Sequence, residues 1–324
     1  MLTYIARRLF WMIPLLLGIS IINFTIMKLA PGDPVSMLVG RNATPDQRER
    51  IRAIYGLDQP LYIQYFKWLG QILKGDFGRS FVDGRPVKDH ILERLPYTLY
   101  LNFFVAVLIY LFSIPIGIIS ALRQYSKFDH SVTFLAFLGQ ALPSFWVALL
   151  LIYAIVHWNI PGIPITGAAT IGVNLRTASL FTVLLDRAKY LLLPMIVLAF
   201  GDMAGTTRYM RSSMLEVIRQ DYVRTARAKG LPERVVIMKH ALRNALLPIV
   251  TLLGFELPLL FSGSVIIEQI FSWPGLGLLS IRAIFQRDYQ IVMAMNMIAA
   301  VLMVLGNFLS DLLYAVVDPR IKYS

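Results

Sequence analysis

The chain of 324 residues contains no cysteine and few charged residues. Without cysteine, neither disulfide bonds nor thiol chemistry are available to it. Charged residues make up 15% of the chain, whereas soluble domains carry roughly 25%. The four histidines, His90, His130, His157 and His240, are scattered without the spacing of metal ligands. These absences exclude disulfide-stapled proteins, thiol enzymes and histidine-based metal sites.

Motifs of the common enzyme classes are also absent. The dipeptide Gly-Lys never occurs, so the chain has no G-x-x-x-x-G-K-[ST] phosphate loop. It also lacks H-E-x-x-H, G-x-S-x-G and the dinucleotide-binding G-x-G-x-x-G. The two glycines of "WPGLGLL" are interpreted as a turn in an outer loop. The sequence therefore predicts a protein that is not an enzyme, with no metal and no cofactor of its own.

Long uncharged runs are abundant in this 57% hydrophobic chain. A helix needs about 20 apolar residues to cross a bilayer. Four uncharged runs are long enough to do so, namely residues 9–27, 97–122, 131–156 and 290–310. Two further runs, 190–207 and 245–267, are each interrupted by one acidic residue. We therefore predict an all-α integral membrane protein with six transmembrane helices.

The orientation follows from the basic residues, which are enriched on the inner side of a membrane. With the N-terminus inside, the inner segments hold fifteen Lys and Arg residues and the two short outer loops hold five. We therefore predict that both termini are inside. The net charge of +12 does not by itself indicate a nucleic-acid partner, and none is expected. The first span is expected to be an uncleaved anchor, because "KLAPGDP" is a poor cleavage site.

This topology divides the chain into segments. They are a first transmembrane helix (1–30), an extracytoplasmic region (31–95), a helical core (96–316) with an inner loop at about 208–243, and a cytoplasmic tail (317–324).

The long outer region has the signals of two helices. Thr44 can cap the first helix, Pro45 would be its first residue, and Gly56 follows its end. The run "PLYIQYFKWLGQILKG" places large apolar residues on one helix face and ends at Gly75. Two interpretations stay open, a helical cap on the membrane surface and a docking element for an external partner.

Acidic residues inside spans are candidates for function. Glu256 should lie near the middle of its span, where it would line a pathway or form a structural ion pair. Asp202 lies near the inner end of its span, where pairing with a basic loop residue is expected. Gly201 and Gly205 have the G-x-x-x-G spacing that allows close helix packing.

The largest inner loop contains a basic segment, "DYVRTARAKGLPERVVIMKHALRNALLP", at residues 221–248. Residues 208–229 contain neither Gly nor Pro and are predicted to form one uninterrupted helix. Gly230 suits a left-handed helix stop, and Pro232 suits the first position of a new helix.

The residues on one face of this helix indicate what kind of partner it contacts. Tyr222 and Ala226 are four residues apart and share one face, which Arg224 and Arg227 flank. Such a face is typical of a helix held in a partner's groove. A basic loop lying on anionic lipid is the alternative.

Many segments, in order, resemble one family. "YVRTARAKGL" and "HALRNALLP" resemble the EAA loop of permease subunits in binding-protein-dependent ABC importers. "RRLFWMIPLLLGISIINFTIMKLAPGDP", "YGLDQPLYIQYFKWLGQILKGDFGRSF", "RLPYTL", "ALPSFWVALLL", "EQIFSWPGLGLL" and "LSDLLYAVVDPRI" are similar to the first permease of the dipeptide/oligopeptide/nickel group. The chain departs from the pattern that names the loop, because Arg224, Thr225 and Ala226 replace Glu-Ala-Ala.

The resemblance implies a type I ABC importer permease fold in a prokaryotic inner membrane. It implies that a coupling helix contacts an ATPase through Tyr222, Arg224, Thr225, Ala226, Arg227, Ala228, Lys229 and Gly230. The implied partners are a second permease subunit, two ATPase subunits and an external substrate-binding protein. Short peptides are the first expected cargo, with nickel chelates or oligosaccharides as alternatives. A self-sufficient secondary transporter is the competing class, although no internal repeat supports it.

Overall fold

The computed structural model describes residues 2–29, 44–54, 56–170, 179–250, 260–261 and 263–317. Within these residues there is no β-strand, only an isolated bridge between Arg79 and Pro86. The helices are α1 (Leu2–Leu29), α2 (Pro45–Ile54), α3 (Leu61–Leu73), α4 (Val87–Leu122), α5 (Lys127–Ala141), α6 (Ser144–His157), α7 (Leu180–Ile218) and α8 (Asp221–Ala228). α9 follows and consists of three consecutive parts, Glu233–Val235, the π-helix Val236–Ala241 and Leu242–Ala245. The last helices are α10 (Val265–Ile270), α11 (Leu276–Phe285) and α12 (Tyr289–Val317).

Within the described part of the chain, three helices are long and apolar enough to cross a membrane, at Ile5–Leu29, Val87–Leu122 and Tyr289–Leu309. The bent pair α5 and α6 would make a fourth span if it crosses as one unit. The predicted span 190–207 lies inside the 39-residue helix α7. The middle of the predicted span 245–267, residues 251–259, lies outside the described residues, as does residue 262. The helical membrane class is therefore confirmed, whereas the count of six spans stays a prediction.

The predicted third span is not one straight helix. α5 and α6 meet at an angle of 105°. Leu142 between them is extended, with φ −84° and ψ 126°, and Pro143 follows at φ −63°. A proline disfavours helical geometry in the residue before it and cannot donate a backbone hydrogen bond. The span predicted at 131–156 therefore consists of two helices that are joined at Leu142 and Pro143, and its crossing of the membrane stays a prediction.

The centre of the described fold is the packing of α7 against α4 and α5. A Cβ atom on Gly139 would lie 3.0 Å from the Cβ of Ala204, so α5 and α7 approach closely at this glycine. A Cβ on Gly201 would lie 3.6 Å from the carbonyl oxygen of Gly139. The predicted close helix packing around Gly201 is therefore confirmed, and it takes place within this chain.

Both predicted helices of the outer region form. The backbone N–H of Gln47 donates to Thr44 Oγ1 at 3.4 Å, and the N–H of Thr44 donates to Gln47 Oε1 at 3.0 Å. This reciprocal pair is a capping box. Gly56 and Gly75 follow the two helices with φ of +63° and +76°, which confirms their role as helix stops.

The region between α1 and α4 is anchored to α1 at one end and beside the start of α12 at the other. The ring of Phe24 on α1 lies 5.6 Å from the ring of Tyr65 and 5.7 Å from that of Trp68, both on α3. Ser80 Oγ donates a 2.5 Å hydrogen bond to Asp288 Oδ2 at the start of α12. The region is therefore held against the ends of α1 and α12.

Candidate functional site

The basic segment begins with a break that the sequence did not indicate. α7 ends at Ile218, and Gln220 is extended, with φ −70° and ψ 148°. α8 therefore forms a separate helix of eight residues, Asp221–Ala228. The expectation of one uninterrupted helix over 208–229 is wrong, because packing redirects the chain where neither Gly nor Pro is present.

The inner face of α8 is apolar and is buried by the rest of this chain. Val223 and Ala226 are three residues apart and lie on the same side of the helix. They belong to one buried cluster, whose other members are Ala121, Met210, Met214, Val236, Ala241, Ala245 and Ile249. α8 is therefore seated on α7, α9 and the end of α4.

This seating corrects the face that the sequence analysis assigned. Ala226 is only 6% exposed and faces the body of its own chain, so it cannot enter a partner's groove. Tyr222 is 43% exposed, and its hydroxyl accepts a 2.9 Å hydrogen bond from Asn244 Nδ2 on α9. Val223 and Ala226 form the inner face because the apolar cluster lies on that side.

The outer face of α8 and the turn after it are free of this packing. The other residues proposed for contact are all exposed, namely Tyr222, Arg224, Thr225, Arg227, Ala228, Lys229 and Gly230. The structure therefore presents one short helix with a small, basic and aromatic surface.

The turn after α8 is well defined. Gly230 has φ +73° and its N–H donates to the carbonyl of Arg227 at 2.9 Å, which confirms the predicted left-handed stop. Arg227 spans the turn to Glu233, with an Nη2–Oε1 distance of 2.7 Å and an Nε–Oε2 distance of 3.1 Å. These hydrogen bonds lower the pKa of Glu233, although partial burial acts in the opposite direction. Pro232 precedes the new helix as its N-cap rather than as its first residue.

The segment returns to the spans through α9. Its middle, Val236–Ala241, is a π-helix, a form often found at functional sites. Ser213 Oγ on α7 donates a 2.8 Å hydrogen bond to the carbonyl of Ala245. Because α8 packs against both α7 and α9, and these two helices are hydrogen-bonded to each other, a displacement of α8 would move both of them.

A buried polar cluster near this segment contains none of the residues predicted from the sequence. Asp129, on α5, is almost fully buried and receives hydrogen bonds from Ser120 Oγ at 2.5 Å and from the N–H of Tyr125 at 2.9 Å. Its charge is balanced by Arg211 on α7. The capping pattern from Ser126 to Asp129 was visible in the sequence, but a partner 82 residues away was not.

A second buried carboxylate lies in the "EQIFSWPGLG" segment. Glu268 is fully buried, and its Oε2 accepts a 2.7 Å hydrogen bond from the N–H of Leu278 in the first turn of α11. A Cβ on Gly275 would lie 2.5 Å from Glu268 Oε1, so only glycine leaves room for the carboxylate. Burial raises the pKa of Glu268 to about 7, while the N–H groups of Leu278 and Gly277 act in the opposite direction. The segment is therefore a carboxylate cradle as well as a turn.

The two acids predicted inside spans have different outcomes. Glu256 lies outside the described residues. Asp202 is exposed and forms no ion pair with another described residue, so the expected pairing with a basic loop residue is not found.

Family comparisons cover the whole chain. Residues 113–323 match the family "Binding-protein-dependent transport system inner membrane component", and residues 1–102 match the family of its N-terminal region. The oligopeptide transport system permease protein AppB of Bacillus subtilis is 49% identical over 324 residues, covering 100% of both chains. The dipeptide transport system permease protein DppB of Escherichia coli K12 is 39% identical and covers 100% of this chain and 99% of its own.

A solved structure of an amino acid ABC transporter, crystallised with histidines, has a similar fold. The TM-score is 0.50 at 19% identity, and the match covers 72% of this chain and 95% of that chain.

Proposed function

Because the chain belongs to the family of binding-protein-dependent transport system inner membrane components, we propose that it is a permease subunit of an importer for short peptides. The observation that carries this proposal is the end-to-end identity of 49% with an oligopeptide permease. The other similar protein, the dipeptide permease DppB of Escherichia coli, supports the same substrate class. Nickel chelates and oligosaccharides are the alternative cargoes.

The subunit would form half of a translocation pathway across the inner membrane. A second permease subunit would supply the other half, two ATPase subunits would hydrolyse ATP, and an external binding protein would deliver the peptide. This chain would need no cofactor of its own. Transport would proceed by alternating access, in which each ATP-driven step shifts the equilibrium between inward-open and outward-open states.

α8 would be the coupling helix. Its apolar inner face joins it to α7 and α9, and its exposed outer face is free for an ATPase groove. Tyr222, Arg224, Thr225, Arg227, Ala228, Lys229 and Gly230 would make the contact, while Ala226 would hold the helix to the spans. A force on the outer face would thereby be transmitted to α7.

One experiment tests the subunit assignment. The chain is tagged, expressed with its genomic neighbours, and purified from membranes, and the complex is reconstituted with its binding protein. We expect ATP-binding subunits to co-purify and labelled dipeptide to enter vesicles only with ATP. Uptake by the purified chain alone, driven by an ion gradient, would instead establish a secondary transporter.

The orientation has its own test, which the absence of cysteine makes simple. Lys74, just after α3, and Lys229, in the turn after α8, are both exposed and are predicted on opposite sides of the membrane. Lys74→Cys should react with a membrane-impermeant thiol reagent in intact cells, and Lys229→Cys only after permeabilisation. The reverse pattern would overturn the N-in, C-in orientation, and labelling of both positions from the same side would overturn the six-span arrangement.

Glu256 is proposed to line the pathway. Glu256→Gln should then alter uptake while the complex still assembles. Loss of assembly would show that Glu256 belongs to a structural ion pair.

A further inference from the structure

A cavity of about 340 Å³ lies at the end of the helix bundle where α4 begins. It is lined by Pro96, Tyr97, Tyr100, Ala168, Arg187 and Trp273. Ligand pockets commonly have volumes of about 300–1,000 Å³ and combine apolar walls with a few polar groups. Three aromatic rings and one guanidinium give this cavity that composition.

The aromatic wall of the cavity is held in place before any ligand arrives. Trp273 is buried, and its Nε1–H donates a 3.1 Å hydrogen bond to the carbonyl of Tyr97. The rings of Tyr100 and Trp273 are nearly parallel, with centroids 6.5 Å apart. A ligand would therefore meet a preorganised surface, which reduces the entropy lost on binding.

The loop before α7 also lines the cavity, through Ala168, and it is anchored at two points. The N–H of Gly167 donates to the carbonyl of Phe271 at 2.8 Å. Thr170 binds the carboxylate of Asp186 through its N–H at 2.8 Å and its hydroxyl at 2.5 Å. Ala168 is thereby held in place at the cavity. Both oxygens of Asp186 are already hydrogen-bonded.

Arg187 is the cationic group of the cavity. Its guanidinium carbon lies 5.9 Å from the ring centroid of Tyr97, within the range of a cation–π contact. Among the described residues it forms no salt bridge with any carboxylate. Its neighbour in sequence, Asp186, accepts hydrogen bonds from Thr170 on both carboxylate oxygens. The fork of the guanidinium is therefore available to a ligand anion.

We propose that this cavity binds the terminal carboxylate of a short peptide, with Arg187 holding the carboxylate and the rings of Tyr97 and Tyr100, supported by the buried Trp273, covering the adjacent side chain. An arginine fork matches a carboxylate with two parallel hydrogen bonds. Short peptides differ in their side chains but share a free carboxylate. A site with one arginine and a broad aromatic wall therefore accepts many peptides. The peptide identity of the ligand rests on the proposed function.

The test uses photo-crosslinking in native membranes that contain the full transporter. Tyr100 is replaced by the photoreactive p-benzoylphenylalanine, and the probe is the tritiated dipeptide Ala-Phe. Excess unlabelled Ala-Phe and its C-terminal amide serve as competitors. We expect a crosslink between this chain and the probe, which the free acid suppresses and the amide does not.

Charge variants at two neighbouring positions complete the test. Arg187→Gln should raise the half-saturating probe concentration about tenfold or more, the loss expected for a charge-assisted hydrogen bond. Arg187→Lys should be intermediate, because the charge stays and the fork is lost. Lys189→Gln removes the same charge from an exposed side chain that does not line the cavity, and should leave crosslinking unchanged.

The outcomes separate this site from the proposed function. If the parent transporter imports Ala-Phe with ATP but crosslinking is absent, unaffected by Arg187→Gln, or directed to a protein subunit that fills the cavity, the site is wrong and the function stands. If the transporter imports no peptide, the function is wrong. The competition between acid and amide then still decides whether the cavity binds carboxylates.

Discussion

Arg211 on α7 holds Asp129 on α5 with two hydrogen bonds, of 2.6 Å between Nε and Oδ1 and 2.7 Å between Nη2 and Oδ2. The carboxylate is 2% exposed, so it depends on this partner for its charge. The pair lies beside the cluster that seats α8, because Met210 and Met214 of that cluster flank Arg211 on α7. The ion pair therefore joins α5 to the part of α7 that carries α8.

Removing the arginine should destabilise the protein strongly. Arg211→Met leaves the carboxylate of Asp129 buried without its cation, and breaking a buried pair in this way costs about 3–5 kcal/mol. We expect a lower thermal unfolding temperature and a lower membrane yield.

The double variant Asp129→Asn with Arg211→Met is the control, because it removes both charges. It should recover most of the lost stability, because the amide oxygen can accept from the N–H of Tyr125 while the amide NH2 donates to the hydroxyl of Ser120. Equal stability of the single variant and the parent would contradict a role for the ion pair.

The two faces of α8 should respond differently to the same new charge. Ala226→Glu places an unpaired carboxylate in the buried cluster, and we expect a loss of about 3–5 kcal/mol in the stability of this chain. Ala228→Glu changes an exposed position, where effects on stability are usually within about 0.5 kcal/mol. Ala228→Glu should therefore assemble in normal amounts but lose substrate-stimulated ATP hydrolysis.

Thermal melting of the purified complex and ATPase assays separate the two effects. An Ala228→Glu variant with full transport would argue against an ATPase contact at the outer face. If, in addition, neutralising Arg224 and Lys229 only weakened binding to anionic vesicles, the loop would be a lipid-facing element.

Gly275 should not tolerate a methyl group. Its backbone is extended at φ −89° and ψ −175°, a conformation that alanine adopts without strain. The new Cβ would nevertheless lie 2.5 Å from Glu268 Oε1, and overpacking of this kind costs about 1–3 kcal/mol.

A matched glycine shows whether the effect is steric. No heavy atom lies within 4 Å of a Cβ built on Gly18 in α1, so Gly18→Ala should leave the unfolding temperature unchanged or raise it. If Gly275→Ala behaves like Gly18→Ala, the carboxylate cradle is not rigid.

The stability of the protein should depend on pH through Glu268. Burial raises its pKa from 4.5 to about 7, so the folded state holds a proton that the unfolded state has already released. The stabilisation is present below about pH 4.5 and is lost as the pH rises through about 7, by an amount on the order of 3 kcal/mol. Unfolding temperatures measured from pH 5 to 8.5 should therefore fall with rising pH.

Glu268→Gln provides the comparison for this titration. The amide cannot ionise, so the variant should lose most of the pH slope in this range. If the unfolding temperature depends on pH equally in the parent and in Glu268→Gln, the dependence arises from other titratable groups.

Local signals in the sequence determined the helical class, the apolar spans and several helix ends. Thr44 with Gln47, Gly75 and Gly230 act over three or four residues, so their geometry follows from local chemistry alone. The sequence also indicated the family, because many of its segments resemble those of the family and occur in the same order.

Tertiary packing decided the rest. Nothing local ends α7 at Ile218, and the break arises because Val223 and Ala226 reach the cluster around Met210 and Met214 only if α8 is redirected. The sequence shows that Tyr222 and Ala226 share a face, but which side of α8 is buried depends on residues from other helices.

The same reason applies to the polar sites. Arg211 lies 82 residues from Asp129, and Arg187 lines the same cavity as Tyr97 and Trp273, which are far from it in the sequence. Hydrogen bonds and ring contacts act over a few ångströms, so such partners are specified only when the fold brings distant segments together.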